Sequence, residues 1–160
     1  RIGNAWKKNR FRSAYLRNTL WDLGYAVDTL ETAVNWDKVT DTMVSVERGL
    51  ERALDSVDEP ILAFSHLSHV YAIGSSIYTT FVFRLADTPQ KTLEHWRTLK
   101  QAASRAIVEA GATISHHHGI GKDHLPYLEA EKGPIGIKTL QQVFNYLDPN
   151  RQMNPGKLLP

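Results

Sequence analysis

Two runs rich in β-branched and aromatic residues, 61–71 and 76–85, are separated by only four residues, and this feature constrains the fold most strongly. The separating segment contains Gly74, and glycine is favoured where a chain reverses direction. Runs of this composition on either side of a short turn are typical of paired strands. We therefore predict an antiparallel β-hairpin over residues 61–85.

Amphipathic segments on both sides of the hairpin predict two helices. Before it, Asn35 is a residue type common at helix N-caps, and apolar residues follow at helical spacing: Trp36, Val39, Met43, Val46, Leu50 and Leu54. After it, Thr88 and Pro89 suit the cap and first position of a helix that ends at Gly111. Residues 25–33 and 112–115 are predicted to be strands.

The predicted order over residues 25–115 is strand, helix, strand, strand, helix, strand, which is that of ferredoxin-like domains. The predicted fold class is therefore α+β, an antiparallel sheet with helices on one face, followed by C-terminal helices over 122–131 and 135–147. Residues 1–24 are predicted to form a preceding helix. Because the chain begins with Arg1 rather than Met, we expect it to be a piece of a longer protein.

Charge and cysteine content exclude several classes of protein. The chain has 19 basic and 17 acidic residues, a net charge of +2 that is too balanced for a nucleic-acid-binding arm or a polybasic membrane patch. The absence of cysteine excludes disulfides, a thiolate nucleophile and a cysteine zinc site. No apolar run approaches the ~18 residues that span a bilayer.

Three consecutive histidines, His116 to His118, follow the last predicted strand and precede Gly119 and Gly121. Imidazole is the side chain best suited to proton transfer near neutral pH, and glycines let the chain approach a ligand closely. The residues alone leave both a functional loop and a solvated loop open.

The histidines also raise the question of a zinc site. Adjacent side chains of an extended segment point to opposite faces, so at most His116 and His118 would share a side. They would need a partner such as His66, His69 or His124. For His66 and His69, which alternate with Leu67 and Val70 in a predicted strand, the role of a strand histidine with satisfied hydrogen bonds is favoured.

Three further polar side chains have ordinary explanations when each is taken alone. Tyr71 and Tyr78 flank the hairpin turn, and a tyrosine in a strand most often serves packing. Arg17 lies beside Leu16 and Leu20 in the first predicted helix, where an arginine most often extends to the surface.

Several segments together resemble one enzyme family: 14–17, 31–32, 36–37, Tyr71, 74–83, 114–122, 146–150 and 154–159. The run Ser-His-His-His-Gly-Ile-Gly at 115–121 resembles the signature of the alkyl-dihydroxyacetonephosphate synthase family, which belongs to the FAD-linked oxidases of the vanillyl-alcohol oxidase type. The C-terminal segment 154–159 is shared more widely among FAD-linked oxidases.

The resemblance implies a division of the chain into three parts. Residues 1–24 would lead into a cap, 25–115 would form the ferredoxin-like substrate-binding cap domain, and 116–160 would pack on an FAD-binding domain. That domain precedes this region in the family and is absent from these residues, which contain no glycine-rich pyrophosphate loop. We therefore expect the chain alone to bind FAD poorly and to be inactive.

The resemblance also implies the chemistry. The family's reaction replaces the acyl chain of acyl-dihydroxyacetone phosphate with a fatty alcohol through a flavin adduct, without net redox change. Tyr78 matches the catalytic tyrosine. His116, His117 and His118 match the catalytic histidine loop, with His117 and His118 implied in proton transfer and substrate orientation.

Substrate and cofactor contacts are implied in the same way. Arg17 matches an arginine of the active site, and a guanidinium offers a planar fork of donors that suits a phosphate. Tyr71 is implied as a second substrate contact. Asn154 and His118 are implied as FAD contacts.

A second group in the superfamily, the metal-dependent 2-hydroxyacid dehydrogenases, resembles this chain in fold and tail. Its ligands are two hairpin histidines and a glutamate, and the matching positions here are Tyr71, Tyr78 and His117. Phenols are poor zinc ligands at neutral pH because their pKa is ~10. We therefore predict that no catalytic metal is bound.

The leading hypothesis is the cap part of an FAD-dependent, synthase-like enzyme. Two alternatives stay open: an FAD-dependent oxidase or dehydrogenase of a 2-hydroxy acid or alcohol, and a non-catalytic ferredoxin-like binding module. We expect a small-molecule substrate, phosphorylated or lipid-like, no nucleic-acid partner and no transmembrane segment, and leave a homodimer open. The compartment would be cytoplasmic in a bacterium and peroxisomal for a eukaryotic ether-lipid enzyme.

Overall fold

The computed structural model describes residues 2–159, apart from the side chains at positions 2, 6, 13 and 14. The two ends of the predicted division, Arg1 and Pro160, lie outside the described residues. The strands are β1 (Tyr25–Asn35), β2 (Leu62–Val70) and β3 (Gly74–Arg84). The helices are α1 (Ile2–Asn9), α2 (Ser13–Asp22), α3 (Val39–Arg52), α4 (Pro89–Glu109), α5 (Gly121–His124) and α6 (Leu128–Leu147), with 3-10 turns at Trp36–Lys38, Asp55–Val57 and Leu125–Tyr127.

The predicted hairpin is confirmed as β2 and β3, the edge and centre of an antiparallel sheet with the order β1-β3-β2. Its turn brings Gly74 against β1, where a Cβ atom would overlap the carbonyl oxygen of Val34. Glycine is therefore required by close backbone approach as well as by the turn. Tyr25 pairs with Arg84 and Asn35 with Gly74, so the whole of β1 lies along β3.

One face of the sheet and the two long helices enclose the core. Phe81 and Phe83 of β3 are buried against Leu50 of α3 and against Leu99 and Ile107 of α4. Thr88 caps α4 as predicted, because its hydroxyl accepts from the Lys91 N–H at 3.2 Å. The predicted α+β class with helices on one face is confirmed.

The fourth predicted strand, 112–115, is the main difference from a regular ferredoxin-like sheet. The segment lies antiparallel to β1, where the Thr113 N–H donates to the Ala33 carbonyl oxygen at 3.1 Å, but it forms no strand ladder. Hydrogen bonds to side chains hold this segment in place of the backbone bonds of a strand ladder. The Thr32 hydroxyl donates to the Thr113 carbonyl oxygen at 2.6 Å, and Glu131 accepts from the Ile114 N–H at 2.9 Å.

The N-terminal end of the chain differs from the prediction. The first helix is two helices, and Leu16, Trp21 and Leu23 are exposed. The C-terminal end lies close to the prediction of two helices over 122–131 and 135–147, because α5, a 3-10 turn and the start of α6 follow one another from Gly121, and α6 is interrupted at Gly133, which has a φ of 67° and precedes Pro134. Among the described residues, none of the helices has the length and apolar character needed to cross a bilayer.

Glu131 is expected to stabilise the 113–114 segment in a pH-dependent way. Burial opposes ionisation, but bonds from Lys132, the Ile114 N–H and the Thr113 hydroxyl outweigh it and hold the pKa of Glu131 below its ordinary value. This contribution is present above the ordinary carboxyl pKa and is lost as the pH falls through the lower, folded-state pKa. We expect Glu131→Gln to cost on the order of 1 kcal/mol at neutral pH.

Urea unfolding of Glu131→Gln and wild type between pH 7 and pH 3 measures this difference. The exposed Glu129 in the same helical turn supplies the control variant, Glu129→Gln, which should match wild type. A Glu131→Gln deficit that stays constant down to pH 3 would contradict the ionic origin.

Candidate active site

Tyr78 lies in the middle of the central strand, on the face of the sheet opposite to the core. It pairs in register with Glu31 of β1 and His66 of β2. Its hydroxyl donates to Thr29 Oγ1 at 3.1 Å, and its ring stacks on that of His66 with centroids 5.3 Å apart. We call the surface formed by Thr29, Glu31, His66 and Tyr78 the site face.

The histidine loop, residues 115–121, lies at the site face because its backbone is tied to β1 and to itself. The His116 N–H donates to the Glu31 carbonyl oxygen at 2.9 Å, and the Ser115 hydroxyl donates to the Gly119 carbonyl oxygen at 2.7 Å. His117 (φ 62°) and Gly119 (φ 74°) both adopt the left-handed conformation. These two residues turn the chain back and keep it from being extended.

The left-handed turn brings the rings of His116 and His117 together. Their centroids are 4.1 Å apart, and their Nε2 atoms lie 3.0 Å and 3.5 Å from the Tyr71 hydroxyl oxygen. The prediction that adjacent imidazoles diverge is therefore wrong, because it assumed an extended segment. Tyr71 joins the loop to the hairpin turn.

His69 joins the same cluster because β2 is irregular. Strict alternation would place Ser68 with His66 on the site face, but the pairing register shifts between Leu67 and Val70. His69 stacks on His117 with ring centroids 4.7 Å apart. His69 has hydrogen-bond partners in the sheet, as expected of a strand histidine whose bonds are satisfied, and it also belongs to the polar cluster.

His118 turns to the other side of the loop, toward Tyr78 and Glu31. The rings of His118 and Tyr78 meet edge to face with centroids 5.5 Å apart. His118 Nε2 lies 3.5 Å from Glu31 Oε2, and about a third of the His118 side chain is exposed. A phenol and an imidazole thus adjoin each other at an accessible surface.

The environment of His116 favours its neutral form. Burial lowers the pKa of His116, and the positive charges that His117, His69 and His118 carry when protonated lower it further. The negative charge of Glu31 opposes this effect without cancelling it. A neutral His116 can both accept and donate hydrogen bonds, so Nε2 can take either role toward the Tyr71 hydroxyl.

The residues that could hold a metal in the described part of the chain are His69, His116 and His117, whose candidate ligand nitrogens lie within 4.8 Å of one another. This set shares only His117 with Tyr71, Tyr78 and His117, the positions that the resemblance matches to the ligands of the metal-dependent dehydrogenases. The Tyr71 hydroxyl and the Glu31 carboxylate already bond to these rings, and they compete with metal binding.

Arg17 and Asn154 lie elsewhere. Arg17 is exposed on α2 and lines a groove of about 700 Å³ together with Trp21, Leu93 and Trp96. Asn154 lines a second groove, beside the end of α6. The structure therefore brings Tyr71, Tyr78 and the three loop histidines together, but not these two residues.

Glu31 and Thr29 are polar members of the site face that the sequence analysis did not single out as site residues. Glu31 lies opposite Tyr78 in register, and an acidic residue in mid-strand is uncommon because strands favour apolar and β-branched residues. That signal was available in the sequence. The hydrogen bond between Thr29 and Tyr78 could not be predicted without the pairing register of β1 and β3.

Comparison with known proteins adds a family match. The model of the family described as "FAD linked oxidases, C-terminal domain" matches residues 1–158. The alkyldihydroxyacetonephosphate synthase of Trypanosoma brucei brucei is 27% identical over 158 residues, which are 99% of this chain and 25% of that protein. The protein of the same name from Caenorhabditis elegans is 33% identical over 141 residues, 87% of this chain and 24% of that protein.

One relative is an enzyme of a different name. The mitochondrial D-lactate dehydrogenase [cytochrome] of Arabidopsis thaliana is 27% identical over 125 residues, 76% of this chain and 21% of that protein. A solved structure of alkyldihydroxyacetonephosphate synthase superposes with a TM-score of 0.60 at 18% identity, covering 94% of this chain and 24% of that chain. This chain thus spans about a quarter of the length of the relatives it matches.

We expect the purified chain, freed of affinity-column metal, to contain no stoichiometric zinc. Tyr71, Tyr78 and His117 stand at the positions of the metal enzymes' ligands, and phenols with a pKa of ~10 bind zinc poorly. Elemental analysis measures the zinc content. About one zinc per chain in wild type, absent from His69→Ala, would contradict the prediction and assign the ion to the imidazole cluster.

Proposed function

Because the chain belongs to the C-terminal domain family of the FAD-linked oxidases, we propose that it is the substrate-binding part of an enzyme resembling alkyl-dihydroxyacetonephosphate synthase. Such an enzyme replaces the acyl chain of acyl-dihydroxyacetone phosphate with a fatty alcohol, without net redox change. The observation that carries the proposal is the meeting of Tyr78 with His118 at an accessible surface.

The sheet has one buried face and one accessible face, and this difference supports the proposed division of the chain. Residues 25–115 form the cap that binds substrate, residues 1–24 lead into it, and residues 116–160 pack on a flavin-binding domain. Leu62 and Phe64 are exposed apolar side chains on the same face of β2 as His66, and they support a further domain beside this face. The chain alone is proposed to be inactive.

Proton transfer is the role proposed for the site face. The incoming alcohol must lose its hydroxyl proton as its oxygen bonds to the carbon that the fatty carboxylate leaves, and the released acid balances the exchange. Tyr78, His117 and His118 are proposed to carry these protons, with His116 completing the loop. The Tyr78 hydroxyl donates to Thr29, so its oxygen remains able to accept a hydrogen bond from the substrate hydroxyl, and the neutral phenol holds a proton that it can give to a leaving oxygen.

FAD would supply, when bound, the electrophilic centre for the exchange. The residues of this chain fit a contact with part of that cofactor, since His118 combines an exposed ring edge with a neighbouring phenol at the site face. His118 and Asn154 are the proposed contacts. The bulk of the cofactor would be held by another domain.

Recognition of a phosphorylated, lipid-like substrate is proposed for Arg17 and Tyr71. Arg17 lies away from the site face, in the groove with Trp21, Leu93 and Trp96, so its contact is proposed for a part of the substrate distant from Tyr78, in a setting where a cation adjoins apolar surface. A guanidinium fork binds phosphate oxygens in pairs, and the aromatic rings suit a hydrocarbon chain. Tyr71 would contact substrate from the hairpin turn.

The second candidate function is an FAD-dependent oxidase or dehydrogenase of a 2-hydroxy acid or alcohol. It is favoured by the 27% identity to the D-lactate dehydrogenase. A net oxidation must deliver two electrons to FAD and then to an acceptor, whereas an exchange need not.

Anaerobic mixing of the whole flavoenzyme with candidate substrates separates the two functions. With acyl-dihydroxyacetone phosphate and a fatty alcohol, we expect ether product and oxidised flavin at the end of the reaction. Stoichiometric bleaching of the flavin by a 2-hydroxy acid, with no ether product, would establish the oxidase alternative instead.

Tyr78→Phe in the whole flavoenzyme is expected to lower kcat by ~10²–10⁴-fold, the usual contribution of a general acid–base group, with flavin content unchanged. The matched control is Tyr25→Phe, because Tyr25 is a partly exposed tyrosine of β1. Steady-state kinetics with bound flavin measured in each variant make the test. Activity of Tyr78→Phe within about twofold of wild type would return this tyrosine to a packing role.

A further inference from the structure

We propose that Glu31 is the positioning residue of this site, a buried carboxylate that holds the rings of His69 and His118 in their working orientations. The inference rests on the proposed function for its catalytic consequence and on geometry for the positioning itself. Glu31 acts through the two imidazoles and needs no contact with substrate.

The two carboxylate oxygens of Glu31 face two histidines from different parts of the chain. Oε1 lies 3.4 Å from Nδ1 of His69 on β2, and Oε2 lies 3.5 Å from Nε2 of His118 in the histidine loop. The backbone carbonyl oxygen of Glu31 accepts from the His116 N–H. One residue of β1 therefore fixes the loop by its backbone and two rings by its side chain.

Glu31 is 3% exposed, and an ionised carboxylate at that depth requires compensation. Burial favours the protonated form, but hydrogen bonds from Ser76, His69 and Ser68 and the positive charge of His118 outweigh it and lower the pKa of Glu31. Tyr78 and His116 are the other titratable groups that face it, the first in register on β3 and the second in the loop.

A carboxylate opposite one nitrogen of an imidazole determines which nitrogen carries the proton. Facing Glu31, Nε2 of His118 carries hydrogen, so the lone pair of the neutral ring is on Nδ1. Nδ1 of His69 also adjoins the hydroxyls of Ser68 and Ser76 at 3.1 Å and 3.3 Å, and an N–H there can donate to the Glu31 carboxylate, which puts the lone pair on Nε2. Fixed tautomers give each ring one basic nitrogen, which proton transfer at a defined position requires.

Nitrogen NMR of the histidine rings in this chain tests the positioning directly, without activity. We expect wild-type His118 to be the Nε2–H tautomer when neutral, and Glu31→Gln to show a mixture of tautomers at His118 and His69. The control Asp28→Asn removes a carboxylate from the same strand, where Asp28 bonds to Trp96 at 2.7 Å, and should leave both rings unchanged.

Two results would overturn the positioning role. One is an Nδ1–H tautomer of His118 in wild type, a measurement that needs no variant to fold. The other is unchanged ring tautomers in a folded Glu31→Gln.

Kinetics of the whole flavoenzyme test the catalytic consequence. Glu31→Gln should lower kcat on the order of 10²-fold or more with little change in KM, and Glu31→Asp, which retains the charge, should recover part of the loss. In a His118→Gln background the Glu31→Gln substitution should have a much smaller further effect, because the part of its role that acts through the His118 ring is already lost. Full additivity would show that Glu31 does not act through His118.

The two measurements separate failure of this inference from failure of the proposed function. If the enzyme proves to be an oxidase, the ring tautomers still report on Glu31. If the ring tautomers do not depend on Glu31, the exchange activity and the effect of Tyr78→Phe on kcat are unaffected.

Discussion

The hydrogen bonds from Thr113 and His116 to the carbonyl oxygens of β1 determine where the histidine loop lies. They attach the loop to the strand that also carries Glu31 and Thr29, so the loop and the sheet form one polar surface. Thr32 donates to the Thr113 carbonyl oxygen, and Glu131 accepts from the Ile114 N–H. Without these bonds the three imidazoles would have no fixed relation to Tyr78.

The two faces of the sheet have different roles, one in stability and the other in the candidate site. Its inner face, with Leu30, Phe81 and Phe83, is buried against α3 and α4, where apolar packing is the main source of stability. Its outer face presents Glu31 and Tyr78, whose neighbours are polar. Alternation along a strand assigns successive residues to these two environments, so a rigid core holds the polar groups at fixed spacing.

Sequence patterns predicted the hairpin, both long helices and the α+β class, because each depends on local periodicity and capping. The family resemblance led to the further prediction that Tyr78 and the loop histidines belong to a site, and the structure places the rings of Tyr78 and His118 side by side. The convergence of His117 with His69 was not predictable, since it depends on a left-handed backbone and on a register shift in β2. The irregular 112–115 segment was missed for a related reason: its bonds come from residues distant in sequence, such as Glu131.

The left-handed conformation of His117 has a consequence for how this position can vary. Histidine, asparagine and aspartate adopt it more readily than most residues, glycine does so freely, and β-branched residues do so rarely. The conformation costs most other L-residues about 1–2 kcal/mol. An alanine here therefore alters loop conformation and ring chemistry at once, whereas asparagine removes the imidazole with less disturbance of the backbone. The residues that can replace His117 are therefore limited by backbone geometry as well as by catalysis.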